Sequence, residues 1–423
     1  MNVEVTGRTM GGTIRVSESK SHAHRLLICA ALSGMETQVQ CKNSSQDIDA
    51  TARCLDALCA KITRTEAGFL VSKGENPGNG TLFCGESGST YRFLLPVACA
   101  LGGTYNFILE GKLPERPMEP LMDNLEAHGI TISGKGEPKV RAEGKLTGGT
   151  FTIPGNVSSQ YISGLLFALP ILKEDSELQI EGELQSKGYI TMTLSAIRQF
   201  GVTIEETERG FHIPGGQKYS APQELFVEGD WSNAAFWLCL GALSETPVVC
   251  TGLNPESQQG DKKVLTILKQ FGAGVEVSGD AVTVTKRKLR GITIDAGDIP
   301  DLVPILSLVG AGAEGVTEIV NAARLRLKES DRLFSVSETI RNLGGTIEEK
   351  EDGLIIEGVG LLKGGPVSSF NDHRIAMTAA IGAAICKAPV VITQAQAVNK
   401  SYPGFYEDYK TLGGVVFTKE ETL

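Results

Sequence analysis

A helix that ends in an apolar residue, usually followed by glycine and a short β-branched strand, recurs six times along the chain. It reads Leu55-Asp-Ala-Leu-Cys-Ala-Lys-Ile, then Leu125-Glu-Ala-His-Gly-Ile-Thr-Ile, and returns at Ile197, Leu268, Ile340 and Tyr409. The spacing stays between 69 and 72 residues. A second element keeps the same frame: Ala/Leu-rich helical runs begin near His24, Tyr91, Tyr161, Asn233, Leu302 and His373. Two coincident periods over the whole length mean repetition of one supersecondary unit. Each unit holds one apolar helix, expected to be buried, and one amphipathic helix that glycine ends in a left-handed cap. Strands at Thr37–Gln40, Tyr105–Leu109 and Val390–Thr393 follow the apolar helices. The order predicts β-α-β-α-β-β per unit, an α/β fold. An open solenoid is disfavoured, because apolar helices need strands packed around them. Six units divide three and three. The chain is expected to cross between the two groups near Arg15–Ser19 and near Pro222–Asp230, giving domains of 1–18 with 229–423, and 19–228.

Basic residues cluster where helices are expected to start. Lys20 and Arg25 sit in Ser17-Glu-Ser-Lys-Ser-His-Ala-His-Arg, and Arg92 ends Cys84-Gly-Glu-Ser-Gly-Ser-Thr-Tyr-Arg. Arg116, Arg332, Arg374 and Lys400 occupy similar places, and Val157-Ser-Ser-Gln-Tyr opens the third apolar helix. Ser, Asn and Asp are ordinary N-caps. A cation is disfavoured there by about 0.3–1 kcal/mol, since the helix N-terminus already carries partial positive charge. Any one such residue reads as surface decoration or an internal ion pair. The repetition reads as a cleft that binds ligands with several phosphate or carboxylate groups.

The charge balance limits the partners. Forty basic residues against fifty acidic leave a net charge of −10, which speaks against a nucleic-acid footprint. The start of the chain shows no basic stretch leading an apolar run, and no segment approaches the length of a membrane span, so neither a signal peptide nor a membrane partner is expected. The nine cysteines lack C-x-x-C spacing, and Cys29, Cys99, Cys239 and Cys386 fall in apolar runs. A reduced cytoplasmic protein without a metal site is the expectation. Gly310-Ala-Gly-Ala-Glu-Gly315 follows a helix instead of preceding one, so it reads as a turn and not as a dinucleotide loop. Gly85-Glu-Ser-Gly-Ser89 lacks the last glycine of a nucleophile elbow.

Six collinear motifs carry a resemblance. Ser19-Lys-Ser with Arg25, Pro114-Glu-Arg-Pro-Met, Val157-Ser-Ser-Gln, Leu327-Lys-Glu-Ser-Asp-Arg, Asn371-Asp-His-Arg-Ile-Ala-Met and Lys400-Ser-Tyr-Pro-Gly-Phe resemble the 5-enolpyruvylshikimate-3-phosphate synthase family across essentially the whole chain. The resemblance implies a two-domain inside-out α/β barrel with three units per domain and the active site in the cleft between them. It implies transfer of the enolpyruvyl group of phosphoenolpyruvate to the 5-hydroxyl of shikimate 3-phosphate, with no cofactor and no metal, by a cytoplasmic monomer.

By resemblance, Asp301 matches the base and Glu329 the acid, with Lys20 also acting in proton transfer. Two carboxylates in different roles need environments that push their proton affinities apart. Lys20, Gly88, Arg92, Arg116, Gln160, Arg332, Arg374 and Lys400 match the phosphoenolpyruvate set. Lys20, Ser21, Arg25, Ser158, Ser159, Gln160, Ser186, Tyr189, Asp301, Arg324 and Lys328 match the shikimate 3-phosphate set. Without the resemblance, Asp301 and Ser158 read as helix caps and Glu329 as a first-turn carboxylate favoured by the dipole.

The sequence departs from the family at Arg324, where asparagine is common, at Phe93, where proline is common, and at Ser89-Thr90, where Thr-Ala is usual. Two alternatives remain in view. UDP-N-acetylglucosamine enolpyruvyl transferases share the repeats, but carry Ser-Gly-Ala-Lys-Asn near the start and usually a loop cysteine. Here Ser21 follows Lys20, and Glu110–Glu119 has no cysteine. The other alternative is a non-catalytic anion-binding protein on the same scaffold.

Overall fold

The computed structural model describes residues 1–419. Six four-stranded sheets share one strand order. In a representative sheet, strand Asn79–Gly85 runs parallel to Gly103–Leu109. Lys139–Gly144 is antiparallel to the latter, and Ile130–Ser133 forms the far edge. Helix Gly88–Leu101 joins the first two strands, and helix Glu119–Ala127 leads into the hairpin. This is the β-α-β-α-β-β unit of the repeat.

Three sheets are completed from far away in sequence. Glu224–Phe226 pairs in parallel with Thr37–Gln40, and Gly12–Arg15 with Val248–Thr251. Asn2–Thr6 lies between Val390–Thr393 and Val415–Lys419.

Two compact units result: Met1–Ser19 with Glu228–Leu423, and Lys20–Val227. Each has its own apolar core. In the first, the buried helices are Trp231–Leu243, Val303–Gly312 and His373–Gly382. In the second they are Lys20–Ser33, Gly88–Leu101 and Ser159–Ala168. Beyond their polar starts, their side chains are apolar nearly all round, as helices covered on every side must be. Each fully buried Leu, Ile or Phe contributes roughly 1.5–3 kcal/mol. The helices approach closely: a Cβ on Gly164 would lie 2.3 Å from the Arg92 carbonyl oxygen.

The amphipathic helices stop as the repeat requires. Gly129, Gly201, Gly272, Gly344 and Gly413 follow five of them at φ between 75° and 104°. The first repeat, which has Cys59-Ala60 at this place, ends without one.

Several boundaries differ from the sequence reading. The first two apolar helices begin at Lys20 and Gly88, earlier than His24 and Tyr91, because helix formation starts in the polar segment; Ser87 caps the second by accepting from Thr90 N at 3.3 Å. Arg116 and Lys400 lie outside the helices that follow them. Arg116 precedes Pro117 and is extended at φ −77°, ψ 137°, the conformation a following proline favours. Lys400 closes a 3₁₀ turn, Ala395–Lys400, and its helix starts only at Phe405. Gly310 to Gly312 form the last turn of a helix, and only the residues after them form a turn. Cys386 stands just past the 3₁₀ turn Ala383–Ile385.

Candidate active site

The sequence-predicted residues fall into two groups, one in each compact unit. In the unit that holds Glu228–Leu423, all three buried helices start beside an aspartate. Asp230 accepts from Asn233 N at 2.8 Å and Asp372 from Arg374 N at 2.9 Å, so both are caps. The third helix has no side-chain cap, and Asp301 in the preceding turn Pro300–Leu302 serves otherwise. Its carboxylate accepts from Arg332 Nη1 at 2.7 Å and Arg374 Nη2 at 3.0 Å, with Lys328 Nζ at 3.7 Å.

Arg332 organises this group. It is 1% exposed. Besides Asp301, its Nη2 donates to Glu329 Oε2 at 2.7 Å and its Nε to Asp372 Oδ2 at 2.8 Å. One guanidinium thereby joins three carboxylates. Burial alone would make it easier to deprotonate, but Asp372, Glu329 and Asp301 together hold its proton affinity above the ordinary arginine value. Glu329 lies in the extended link before helix Arg332–Asn342, so it is not a first-turn carboxylate. Ser330 Oγ also donates to Asp372, at 3.1 Å.

Two further groups were not foreseen from the sequence. Asp372 is fully buried and anchors Arg332 as well as capping its own helix. Its signal was the Asn371-Asp-His-Arg run, but its partner lies 40 residues away. Asp261, 3% exposed, accepts from Ser232 Oγ. Burial first, then the neighbouring Asp301 charge, push its carboxyl up to about 6 against the opposing pull of Arg374. Packing around the Lys328 ammonium pushes it down to about 8, partly offset by Asp301, and Arg324 acts on it in the same direction as burial. Arg324 precedes Lys328 by four residues, in the 3₁₀ turn Ala323–Leu327. Lys400 donates to the Asn371 carbonyl at 2.6 Å.

The unit Lys20–Val227 is built differently. None of its three buried helices has an acidic residue in the first turn. Lys20 pairs with Asp47 at 2.8 Å, an ion pair across 27 residues that no sequence pattern announced. Arg25, 2% exposed, donates from Nε to Thr193 Oγ1 at 2.8 Å and from Nη1 to the Ser21 carbonyl at 2.6 Å. Its Nη2 donates to the Tyr189 carbonyl at 3.0 Å. Among the described residues it has no carboxylate partner, and burial pushes it down to about 10.

Arg92 donates to Gln160 Oε1 at 2.9 Å and to the Pro117 carbonyl at 3.2 Å. Gln160 in turn donates to Ser89 Oγ at 2.9 Å. A Cβ on Gly88 would fall 2.8 Å from Arg116 Nη1, so glycine is what lets this guanidinium lie against the helix start. Ser158 caps its helix by accepting from Gln160 N at 3.3 Å, with Ser159 in the first turn. Ser186 precedes helix Lys187–Gln199 at φ 56°, ψ 41°, and makes no capping bond with its side chain. Left-handed backbone at a buried serine is a strain typical of binding sites. Buried cations held by neutral acceptors keep their charge available for an anion.

No helix among the described residues is long and apolar enough to cross a membrane. The sequence profile of EPSP synthase (3-phosphoshikimate 1-carboxyvinyltransferase) matches residues 5–409. The chain is 41% identical over 429 residues to the 3-phosphoshikimate 1-carboxyvinyltransferase of Clostridium kluyveri, covering 98% of both chains. It is 43% identical over 421 residues to that of Clostridium perfringens, covering 98% of this chain and 99% of the other. Among solved structures it resembles EPSP synthase from Acinetobacter baumannii at 25% identity, with a TM-score of 0.81 over 99% of this chain and 100% of that one.

Proposed function

The chain belongs to the EPSP synthase family, and from that membership we propose that it transfers the enolpyruvyl group of phosphoenolpyruvate to the 5-hydroxyl of shikimate 3-phosphate. The observation that carries the proposal is the joining of Asp301 and Glu329 through Arg332, each at 2.7 Å. Binding an anion needs no carboxylates; an addition with two proton transfers needs a base and an acid held in fixed relation.

In this reading Asp301 takes the proton of the 5-hydroxyl as its oxygen bonds to C2 of phosphoenolpyruvate. Glu329 delivers a proton to C3, and a tetrahedral intermediate results. Elimination reverses the second transfer: C3 returns a proton, the C2–O bond to phosphate breaks, and inorganic phosphate leaves with the electron pair. Lys20, Arg92, Arg116, Arg332, Arg374 and Lys400 stabilise the carboxylate and the leaving phosphate, with Gly88 and Gln160 beside them. Lys20 also exchanges a proton with the reacting groups. Ser158, Ser159 and Ser186 take the acceptor's phosphate. Ser21, Arg25, Gln160, Tyr189, Arg324 and Lys328 hold the rest of the acceptor.

The unbridged cysteines suit a reducing compartment, and we place the enzyme in the cytoplasm as a monomer. Phosphate release from phosphoenolpyruvate tests the assignment, with shikimate 3-phosphate and UDP-N-acetylglucosamine run in parallel as acceptors. Release with shikimate 3-phosphate alone is expected. Release with the nucleotide sugar alone would overturn the acceptor, and tight binding without release would overturn catalysis.

A further inference from the structure

Phe93 is one of the sequence's departures from the resembled pattern, and its surroundings give it a specific place. The residue is 1% exposed. Its ring centroid lies 5.2 Å from Arg25 Cζ, and the Tyr189 ring lies 6.0 Å from the same atom. The ring also meets His24 edge-on at 6.3 Å and Phe167 at 5.6 Å, so it is clamped on two further sides.

Phe93 follows Arg92 on helix Gly88–Leu101, and successive helical side chains point about 100° apart. Arg92 therefore faces Gln160 and Pro117 while Phe93 faces Arg25 on helix Lys20–Ser33. A second departure works on the same contact. Thr90 Oγ1 is 2.7 Å from Thr51 Oγ1, which is 2.7 Å from His24 Nδ1, one residue before Arg25. Thr90 also bonds Ser87 Oγ at 2.7 Å. A polar chain and an aromatic contact thus fasten the start of one helix to the first turns of the other.

Arg25 needs such a support. A guanidinium has five N–H donors. Three of Arg25's are engaged with neutral acceptors, and no carboxylate among the described residues compensates its charge. A carboxylate would steady it only by taking the donors a ligand requires. An aromatic face attracts the cation and takes none of them, and the attraction strengthens when water is excluded.

We propose that Phe93 is a positioning residue that holds the Arg25 guanidinium in place and leaves its free N–H donors to the phosphorylated acceptor. The proposal rests on the assignment of Arg25 to shikimate 3-phosphate. It ties acceptor affinity to the helix that also carries Gly88 and Arg92.

Steady-state kinetics of Phe93→Leu tests it. The substitution keeps an apolar side chain and removes the ring. KM for shikimate 3-phosphate is expected to rise about fivefold to tenfold. The kcat and the KM for phosphoenolpyruvate are expected to stay within about twofold, the pattern of a lost ground-state contact. In an Arg25→Gln background the same substitution should change KM for the acceptor less than about twofold, because the contact is already gone. An unchanged acceptor KM in Phe93→Leu, an equal rise for both substrates, or an undiminished effect in the Arg25→Gln background would each overturn the proposal. Should Phe93→Leu not fold, Phe93→Met carries the same comparison. Wild-type protein that releases no phosphate with shikimate 3-phosphate would overturn the acceptor assignment and this proposal together. Wild-type turnover with an unmoved Phe93→Leu would overturn this proposal alone.

Discussion

Arg332 and Arg25 are almost equally hidden from solvent, at 1% and 2% exposure, yet their surroundings are opposite. Arg332 is joined to Asp301, Glu329 and Asp372. Arg25 is joined to a threonine, two carbonyl oxygens and an aromatic face. The first arginine is tied to carboxylates of its own protein. The second is held, among the described residues, by groups that cannot neutralise it. The two compact units thus surround a buried guanidinium in opposite ways, with carboxylates in one and with neutral and aromatic groups in the other.

The comparison breaks first if the carboxylates do no chemistry. Asp301→Asn and Glu329→Gln are each expected to lower kcat by about a thousandfold, within the usual range for a lost general acid or base, while circular dichroism stays unchanged. An unaffected kcat in either variant would remove that residue from its role.

Stability should separate the two arginines next. Arg332→Met removes an ion-pair partner from three carboxylates at once and is expected to cost about 3–5 kcal/mol in urea unfolding. Arg25→Met removes no ion-pair partner from a carboxylate among the described residues, and should leave stability unchanged or improved while raising KM for shikimate 3-phosphate by about tenfold or more. Equal losses in both would mean that the difference in partners carries no energetic weight.

Gly88→Ala sharpens the picture within one unit. The added methyl meets Arg116 Nη1 at 2.8 Å and must displace it. KM for phosphoenolpyruvate is expected to rise about tenfold with little change in KM for the acceptor; an equal rise for both would point to a general distortion.

Lys328 gives the smallest effect. With its ammonium titrating at about 8, KM for shikimate 3-phosphate should rise about fourfold between about pH 7 and 8.5, and Lys328→Met should lack this rise. The sign for stability follows from the same depression. Between about 8 and the ordinary lysine value of 10.5 the unfolded chain binds more protons than the folded one, so this group makes the fold more stable as pH rises through that window.

Much of the fold was legible because it repeats. Glycine after the amphipathic helices marks their ends at Gly129, Gly201, Gly272, Gly344 and Gly413, where φ is positive. Local chemistry wrote that signal, so local reading found it. The partners of Asn2–Thr6, Gly12–Arg15 and Glu224–Phe226 were not legible, because their pairings span most of the chain and a short alternating strand suits many sheets. The same division runs through the site. Arg332 and Arg374 could be named from motifs, and Asp301 only through the family resemblance. Asp47 beneath Lys20, Asp261 beside Asp301 and Phe93 against Arg25 could not, because each gains meaning only from a residue on another element.

The pairing of Asn2–Thr6 with Val415–Lys419 carries a consequence for how the molecule is made. The stretch Lys20–Val227 has all its strands on hand once its last residue leaves the ribosome, and it can close while the rest is still being translated. The other unit cannot. At roughly 5–20 residues per second, its strand Gly12–Arg15 must wait for Val248–Thr251, and Asn2–Thr6 must wait longer, for Val390–Thr393 and Val415–Lys419. Their backbone donors and acceptors stay open throughout that interval. Biosynthesis of this chain is therefore ordered, with the unit Lys20–Val227 closing before the unit whose strands flank it in sequence.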